Sequence, residues 1–388
     1  MLAKFVLIIF NIIAVLFLTG CWDRIEIEQR AFAVGIAIDF NEDQNAQHNV
    51  IQITQQVIVP SVFNSAQDSG GDSQAFRNLT KSGETIFDAN RNTTNLASRT
   101  ISVTHLEVVL FSEEVVKEPK LFANLMDVFL REMEMHRTIN VAIASGKAHN
   151  LLNVKPEHEK LPAIYIHGLL ENEESVNVIK PITFGDIQEN LLSKTSFIIP
   201  QIRKFNSKSV EYEGIAVFHG ASNKVVGTFH EGEEKGVILM RGEVESGSIV
   251  TNIHGNKIAN EILDMKREIT LTNEDKNNLT FDVNLTVRSG IAEVLGVENL
   301  LSEKNYAQIK KALEEEIKKV TRKSIDTLQN EMKADVLGLN QHLYKYHYQL
   351  WDSIKDNWED GEDYFSKSKI KVNINVIIDQ SGNINKAQ

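Results

Sequence analysis

Cysteine is nearly absent from this chain of 388 residues: Cys21 stands alone. A single thiol closes no internal disulfide, so an exported fold would have to stand on packing and hydrogen bonding. A surplus of positive charge is missing as well. Lys and Arg number 41 against 53 Asp and Glu, a formal charge of −12 at pH 7, and no Lys/Arg stripe alternates with aromatics. Neutralising a phosphate backbone needs such a surface, which excludes nucleic acid as a partner and gives no charge-driven adhesion to anionic lipid. Catalytic signatures are lacking too: the chain has no G-x-S-x-G elbow, H-E-x-x-H, P-loop or G-x-G-x-x-G. Ser145, Gly146 and Lys147 come nearest to a phosphate loop but lack its upstream glycine, and they read as a turn after a strand. Among the 11 histidines, His342 and His347 approach zinc spacing, yet five residues is the wrong step for one helical face. No carboxylate pair is marked as an acid/base couple. The expectation is a protein that is not an enzyme, with no cofactor, no metal site and no catalytic residue.

What is present begins at the amino terminus. Lys4 precedes an apolar run from Phe5 to Leu18, interrupted only by Asn11, and Thr19 and Gly20 lead into Cys21. A charged start, an apolar stretch and small residues at a cut are the three parts of an export signal. Leu18, Thr19, Gly20 and Cys21 resemble the lipobox at which bacterial lipoproteins are cleaved and diacylated on the cysteine. A bilayer span takes about 20 apolar residues, more than this run supplies. The other reading is an uncleaved amino-terminal anchor helix, and both put the rest of the chain outside the cytoplasm. Residues 1–20 hold one Lys and no acid, so the exported part is more acidic still. At about 0.8 kcal/mol per buried methylene, two acyl chains hold a protein on its membrane where one is marginal.

With 42% hydrophobic and 24% charged residues, the remainder can bury a sizeable core in two or three domains. All six prolines lie at or before Pro200, a composition step that suggests a boundary there. Before it, Ala31 to Phe40 and the alternating run His48 to Val59 predict two paired strands joined by a short link, Asn41 to Gln47. Ser61 to Gln74 is too polar to order itself and reads as a surface loop. Helical patterns at Glu84 to Ser98 and Leu121 to Glu132 alternate with apolar strands at Leu106 to Phe111 and Ile139 to Ala144, an α/β alternation. Leu151 to Leu170 and Asp186 to Leu192 add helical pieces, and Ser196 to Ile202 a strand. After Pro200 the pattern turns to a hairpin, Val210 to Phe218 and Val225 to Phe229, followed by glycine-punctuated β runs through Val250. From about Arg267, Leu279 to Val287 alternate as a strand with one wet face. A long amphipathic helix follows, capped at Ser302, with an apolar stripe from Tyr306 to Met332 and Glu314–Lys318 and Glu315–Lys319 pairs on its wet face. Ile370 to Ile378 alternate again, so that helix and an antiparallel sheet would bury each other's apolar faces. Leu343, His347, Leu350, Trp351, Ile354 and Trp358 recur at helical steps. Most of the aromatic cluster that includes Tyr344, Tyr346 and Tyr348 therefore reads as one buried stripe, with a partner-binding patch as the other possibility.

Several segments carry a family resemblance. Cys21, Trp22, Asp23 and Arg24, then Ile27 to Arg30 and Ala33 to Asp39 (AVGIAID), resemble the start of the mature Ger(x)C spore germination lipoproteins. Ser98 to Leu106, Phe129 to Thr138, Tyr212 to Phe218 and Asp335 to His342 (DVLGLNQH), with Trp351 and Trp358, are similar to family segments in family order, so the likeness spans nearly the whole chain. Asn340 and the 61–74 insertion are local departures. The resemblance implies the C subunit of a nutrient germinant receptor, lipid-anchored on the outer face of the spore inner membrane and assembled with the polytopic A and B membrane subunits. It implies a mixed α+β fold of three domains, with mixed and antiparallel sheets and packed helices. The expected division is a signal peptide at 1–20, an α/β domain at 21–200, a small β-rich domain at 201–266 and an α+β domain at 267–388. Cys21, as the acylation site, is the one functional residue carried over. A substrate-binding lipoprotein of a transporter would use the same anchor but needs two matched lobes, and the halves here look unlike each other. An exported hydrolase of peptidoglycan has no motif in its favour.

Overall fold

The computed structural model describes residues 30–41, 50–59, 74–118, 120–131, 134–172, 178–230, 232–295 and 303–380. Strands β1 (Arg30–Phe40), β2 (Ile51–Ile58) and β3 (Phe76–Gly83) form an antiparallel meander. Then come α1 (Ile86–Thr94), β4 (Thr100–Ser102), β5 (Val108–Ser112), α2 (Glu113–Lys117), α3 (Leu121–Arg131), β6 (Asn140–Ala144) and a 3-10 turn (Ala148–Asn153). Helices α4 (Pro162–Leu170) and α5 (Phe184–Ser193) precede β7 (Phe197–Lys204), β8 (Val210–His219) and β9 (Lys224–His230). The sheet order is β3-β2-β1-β5-β6-β7-β8-β9, with β4 beside β1, and β1, β5, β6 and β7 run parallel. Parallel strands need cover on both faces, and the pleat divides them accordingly. Val109, Phe111, Val141 and Ile143 pack under α1, α2, α3 and α5. Val108, Leu110, Ala142 and Ala144 face the 3-10 turn and α4.

This double cover changes one strand reading. The alternation from His48 to Val59 predicts a half-buried strand with Gln52 and Thr54 on its open face, yet Thr54, Gln55 and Gln56 are buried. They are satisfied by fixed partners: Gln56 Nε2 donates to the Leu152 carbonyl (2.9 Å) and its Oε1 accepts the Ala163 amide (2.9 Å), which seats the start of α4. The helical stretch expected from Leu151 to Leu170 breaks in two, with Pro162 at the first turn of α4, where its missing N–H costs nothing. The boundary expected at Pro200 falls inside β7, and the hairpin β8–β9 extends the same sheet. The expected links and caps at Asn41 to Gln47, Ser61 to Gln74 and Ser302 lie wholly or almost wholly outside the described residues.

The second sheet holds β10 (Gly247–Ile253), β11 (Asn256–Asn273), β12 (Thr280–Leu295) and β13 (Lys369–Gln380), in that order. Residues 201–266 are therefore shared between two sheets, and the expected boundary near Arg267 lies within β11. The glycine-punctuated β run expected from Gly236 is a helix, α6 (Lys235–Arg241). Gly236 serves helix packing there: a Cβ would stand 2.2 Å from Ser324 Oγ and 2.3 Å from the Val320 carbonyl oxygen of α7 (Glu303–Thr327). Strand β12 alternates as its sequence predicts, Phe281, Val283, Leu285 and Val287 facing the core. Strand β13 pairs with β12 in parallel, where an antiparallel neighbour was expected. Helix α7 is the reason, since it carries the chain back over the sheet as a crossover. Its stripe, Ile309, Leu313, Ile317 and Ile325, is fully buried and continues through a π turn (Leu328–Met332). In place of the expected Glu314–Lys318 and Glu315–Lys319 pairs, its other face carries Lys310–Glu314, Lys311–Glu315, Lys319–Glu316 and Arg322–Asp326, worth a few tenths of a kcal/mol each. Helices α8 (Leu339–Tyr346), α9 (Tyr348–Ile354) and α10 (Tyr364–Lys367) close the end of the unit. The two sheets share one core, in which Ile198, Ile215, Val217 and Phe229 from the first pack with α6, α7 and β12. The chain is thus mixed α+β, and no described helix is long and apolar enough to cross a membrane.

A candidate docking cleft between the two sheets

The segment between the π turn and α8 is held by its third residue. Asp335 is buried, and its carboxylate accepts four donors: Oδ1 takes the amides of Leu337 (3.1 Å) and Leu339 (3.3 Å), Oδ2 the amide of Asn340 (2.7 Å) and the Trp358 indole N–H (3.0 Å). The amides are otherwise orphans at the start of α8, so Asp335 does the work of an N-cap from outside the helix. Two arginines clamp the same turn from below. Arg241 donates to the Val336 carbonyl (2.7 Å) while forking onto Glu243 (2.6 and 2.8 Å), and Arg267 donates to the carbonyls of Arg241 and Leu337. Burial, with Arg241 close by, lowers Arg267 to about 10, so it stays charged at neutral pH.

Against this turn lies a buried carboxyl from another stretch of chain. Glu359 accepts the Asp335 amide and, at 2.7 Å, the Ser196 hydroxyl that ties it to the start of β7. Burial, reinforced by the charge of Asp335, pushes Glu359 up to about 8. His219 approaches it at 3.9 Å from the end of β8. Ser196 and His219 belong to the first sheet and Asp335 and Glu359 to the second unit, so this cluster is a polar rivet between them. Beside it opens a cleft of about 730 Å³, walled by α5 (Asp186, Glu189) on one side and by Gly338, Gln341, Tyr344 and Trp351 on the other. Its charges are mostly engaged: Asp186 closes the capping box with Thr183 at the start of α5, Arg241 holds Glu243, and Lys180 faces Glu245 at 3.5 Å. The arrangement offers a concave surface with aromatic and amide groups.

The residues singled out in the sequence fall unevenly on this geometry. Cys21 lies outside the described residues. Leu343, Ile354 and Trp358 are buried as the helical stripe predicts, and Leu350 and Trp351 half so. The tyrosines leave the stripe: Tyr344, Tyr346 and Tyr348 are 62%, 62% and 57% exposed around the bend between α8 and α9. That bend also brings the His342 and His347 rings to 5.6 Å, and burial holds the His342 imidazole below its usual range. The run AVGIAID ends in Asp39, which is buried and accepts the amides of Ala148 (2.7 Å) and His149 (3.0 Å), capping the 3-10 turn. In YEGIAVF, Gly214 is required by close approach, for a Cβ there would sit 1.9 Å from the Phe229 carbonyl oxygen. The Asp335–Glu359 pairing across 24 positions carried no signal in the sequence, although Asp335 and Trp358 both stood in segments already noted.

Two family models match the chain in order. One, described as "Spore germination protein N-terminal domain", covers residues 23–204, and the other, "Spore germination B3/ GerAC like, C-terminal", covers residues 213–382. Among curated proteins, the chain is similar to "Spore germination protein YndF" of Bacillus subtilis (strain 168), 28% identical over 94% of either chain. "Spore germination protein A3" of the same organism is also 28% identical, over 95% of this chain and 96% of that one. "Spore germination protein B3", again from that strain, is 24% identical over 99% of each. The crystal structure of the GerBC protein superimposes with a TM-score of 0.60, covering 91% of this chain and 99% of that one at 20% identity, a likeness of fold.

Proposed function

Given that the chain belongs to the Ger(x)C family of spore germination proteins, we propose that it is the lipid-anchored C subunit of a nutrient germinant receptor, an interaction subunit without chemistry of its own. The observation that carries the reading is the ordered match of both family models, 23–204 and 213–382, over nearly the full chain. Cys21, two residues before the first match, is the acylation site on this reading. It tethers the body to the outer face of the spore inner membrane, where the polytopic A and B subunits are its partners. Confinement to a membrane plane raises effective concentration without adding a contact. In the three-domain scheme implied by the resemblance, the shared core makes the parts act as one body.

Affinity capture from spore membranes with this chain as bait tests the assembly: two polytopic proteins should be recovered, and their absence under mild detergent would refute it. Cys21→Ala should release the protein from membranes and weaken germination, whereas unchanged retention and response would remove the anchor from the account. Among the described residues, the cleft between the two sheets favours a transporter-type substrate-binding lipoprotein. Calorimetric titration with amino acids and sugars separates the readings, tight direct binding favouring the transporter role.

A further inference from the structure

The exposed tyrosines and the start of β1 lie at the same end of the molecule. Strands β1, β5, β6 and β7 are parallel, and their register aligns Ile38 with Phe111, Ile143 and Gln201. Counting back along β1 and β7, Phe197 is level with Val34. The chain beyond Phe197 toward Ser193 therefore emerges at the same sheet end as the chain beyond Val34 toward Arg30. Three interstrand spacings of about 4.8 Å separate them laterally, roughly 15 Å. Ser193, Ser196 and Phe197 line the same cleft as Tyr344 and Trp351, which places the α8–α9 bend at this end. Leu192, 78% exposed, is on the last turn of α5, the helix whose Asp186, Glu189, Asn190 and Ser193 line that cleft.

From position 21 to position 30 the chain spans no more than about 30 Å even when fully extended, at about 3.5 Å per residue. If Cys21 carries the lipid, the β1 end of the sheet cannot move farther than that from the bilayer. We propose that Tyr344, Tyr346 and Tyr348, with Leu192, seat this end of the protein on the lipid headgroup layer, so that the body stands on the membrane at two points. The inference rests on the lipid anchor proposed above. Tyrosine suits the position because its ring is apolar and its hydroxyl wants a wet partner. Lys345 and Lys194 flank the patch on flexible stems that reach headgroup phosphates. An acidic protein gains nothing from anionic lipid at long range, so the contact is interfacial and aromatic and holds on uncharged, zwitterionic lipid.

The test uses the full-length chain isolated from membranes and reconstituted into phosphatidylcholine vesicles, with an environment-sensitive fluorophore on Tyr346→Cys. A label on Ser207→Cys, in the β7–β8 turn at the far end of the sheet, is the control. Flotation with the vesicles, and the failure of the thiol dye to react with the unsubstituted chain, report the anchor separately. The expected result is a blue-shifted emission at position 346, quenched several-fold more by lipids spin-labelled near the headgroup than the label at position 207. A protein that floats while both labels stay equally wet overturns the seating and leaves the anchor standing. A chain that neither floats nor lacks a reactive thiol overturns both. A label that is wet in these vesicles but shielded in spore membranes carrying the other receptor subunits assigns the patch to a protein partner and also overturns the proposal.

Discussion

Replacing Asp335 with Ala removes one carboxylate and strands four donors at once. The amides of Leu337, Leu339 and Asn340 and the Trp358 indole all end on its two oxygens, in a position 1% exposed. A donor buried without its partner costs about 1–3 kcal/mol. The two bonds to Oδ1 are the longer ones, at 3.1 and 3.3 Å, and the first turn of α8 can recover some water. The expected loss is therefore about 4 kcal/mol, toward the rare end of single substitutions and a large share of the 5–15 kcal/mol typical of a domain. Asp335→Asn keeps an acceptor for Leu337 and Leu339 but turns an NH2 toward Asn340 and Trp358, so it should lose about half as much. Urea unfolding followed by tryptophan fluorescence measures both, with Trp358 as the local reporter. A loss under about 1 kcal/mol for Asp335→Ala would show that water satisfies these donors, and the account of this turn would be wrong.

Glu359 sets a pH dependence of definite sign. Its proton is held more tightly folded than unfolded, so its contribution is full below its ordinary value of 4.5 and is lost as pH rises through about 8. Glu359→Gln keeps an acceptor for the Asp335 amide and should flatten that slope, leaving the variant the more stable protein at pH 9; parallel denaturation curves for the two proteins at pH 6 and 9 would contradict it. Asp39→Ala strips the acceptor from the amides of Ala148 and His149. It should cost about 2–3 kcal/mol, and hydrogen exchange should speed up first within the 3-10 turn at 148–153. Acceleration spread evenly over the sheet would deny Asp39 this local role.

Periodicity in the sequence located β12 and α7 because each buries one clean stripe or face, whereas β1 stood out as a mostly apolar run because both its faces are buried. Strand β11 escaped it. Its pairing with β12 slips at three places, between Ala259 and Asn260, Ile262 and Asp264, and Leu271 and Asn273, and every slip resets the period of two on which the reading depends. Strand β3, FRNLTKSG, has too few apolar residues to register, since it is an edge strand whose partners lie on one side. Helix α6 was mistaken for β structure because Gly236 signals a turn locally, while its actual reason is 88 residues away at Ser324. The direction of β13 depends on the crossover and not on its own residues. The tyrosines were assigned mostly to a buried stripe because Leu343, Ile354 and Trp358 do form one; the bend at His347, with φ −134° and ψ 48°, turns the others outward. The rivet of Asp335, Glu359, Ser196 and His219 joins four separate segments, and nothing in any one of them marks the others.

That rivet and the core beneath it bear on how such a body could work. A lobe that closes on a ligand must swing about a hinge with little packed across it. Here Ile198, Ile215, Val217 and Phe229 of the first sheet share one buried cluster with Val237 to Met240 of α6, Leu328 of the π turn and Phe281 of β12. Opening the two units would expose these side chains, at about 1.5–3 kcal/mol for each large apolar group returned to water. A handful of them already exceeds the few kcal/mol that separate the open and closed states of a hinged protein. Movement imposed at one end is therefore passed to the other as rotation of the whole body. If the proposed lipid tether near β1 and the proposed seating of the α8–α9 bend both hold, such a body turns about the line joining those two points. Its surfaces at the far end, around the β7–β8 turn, then sweep the widest arc.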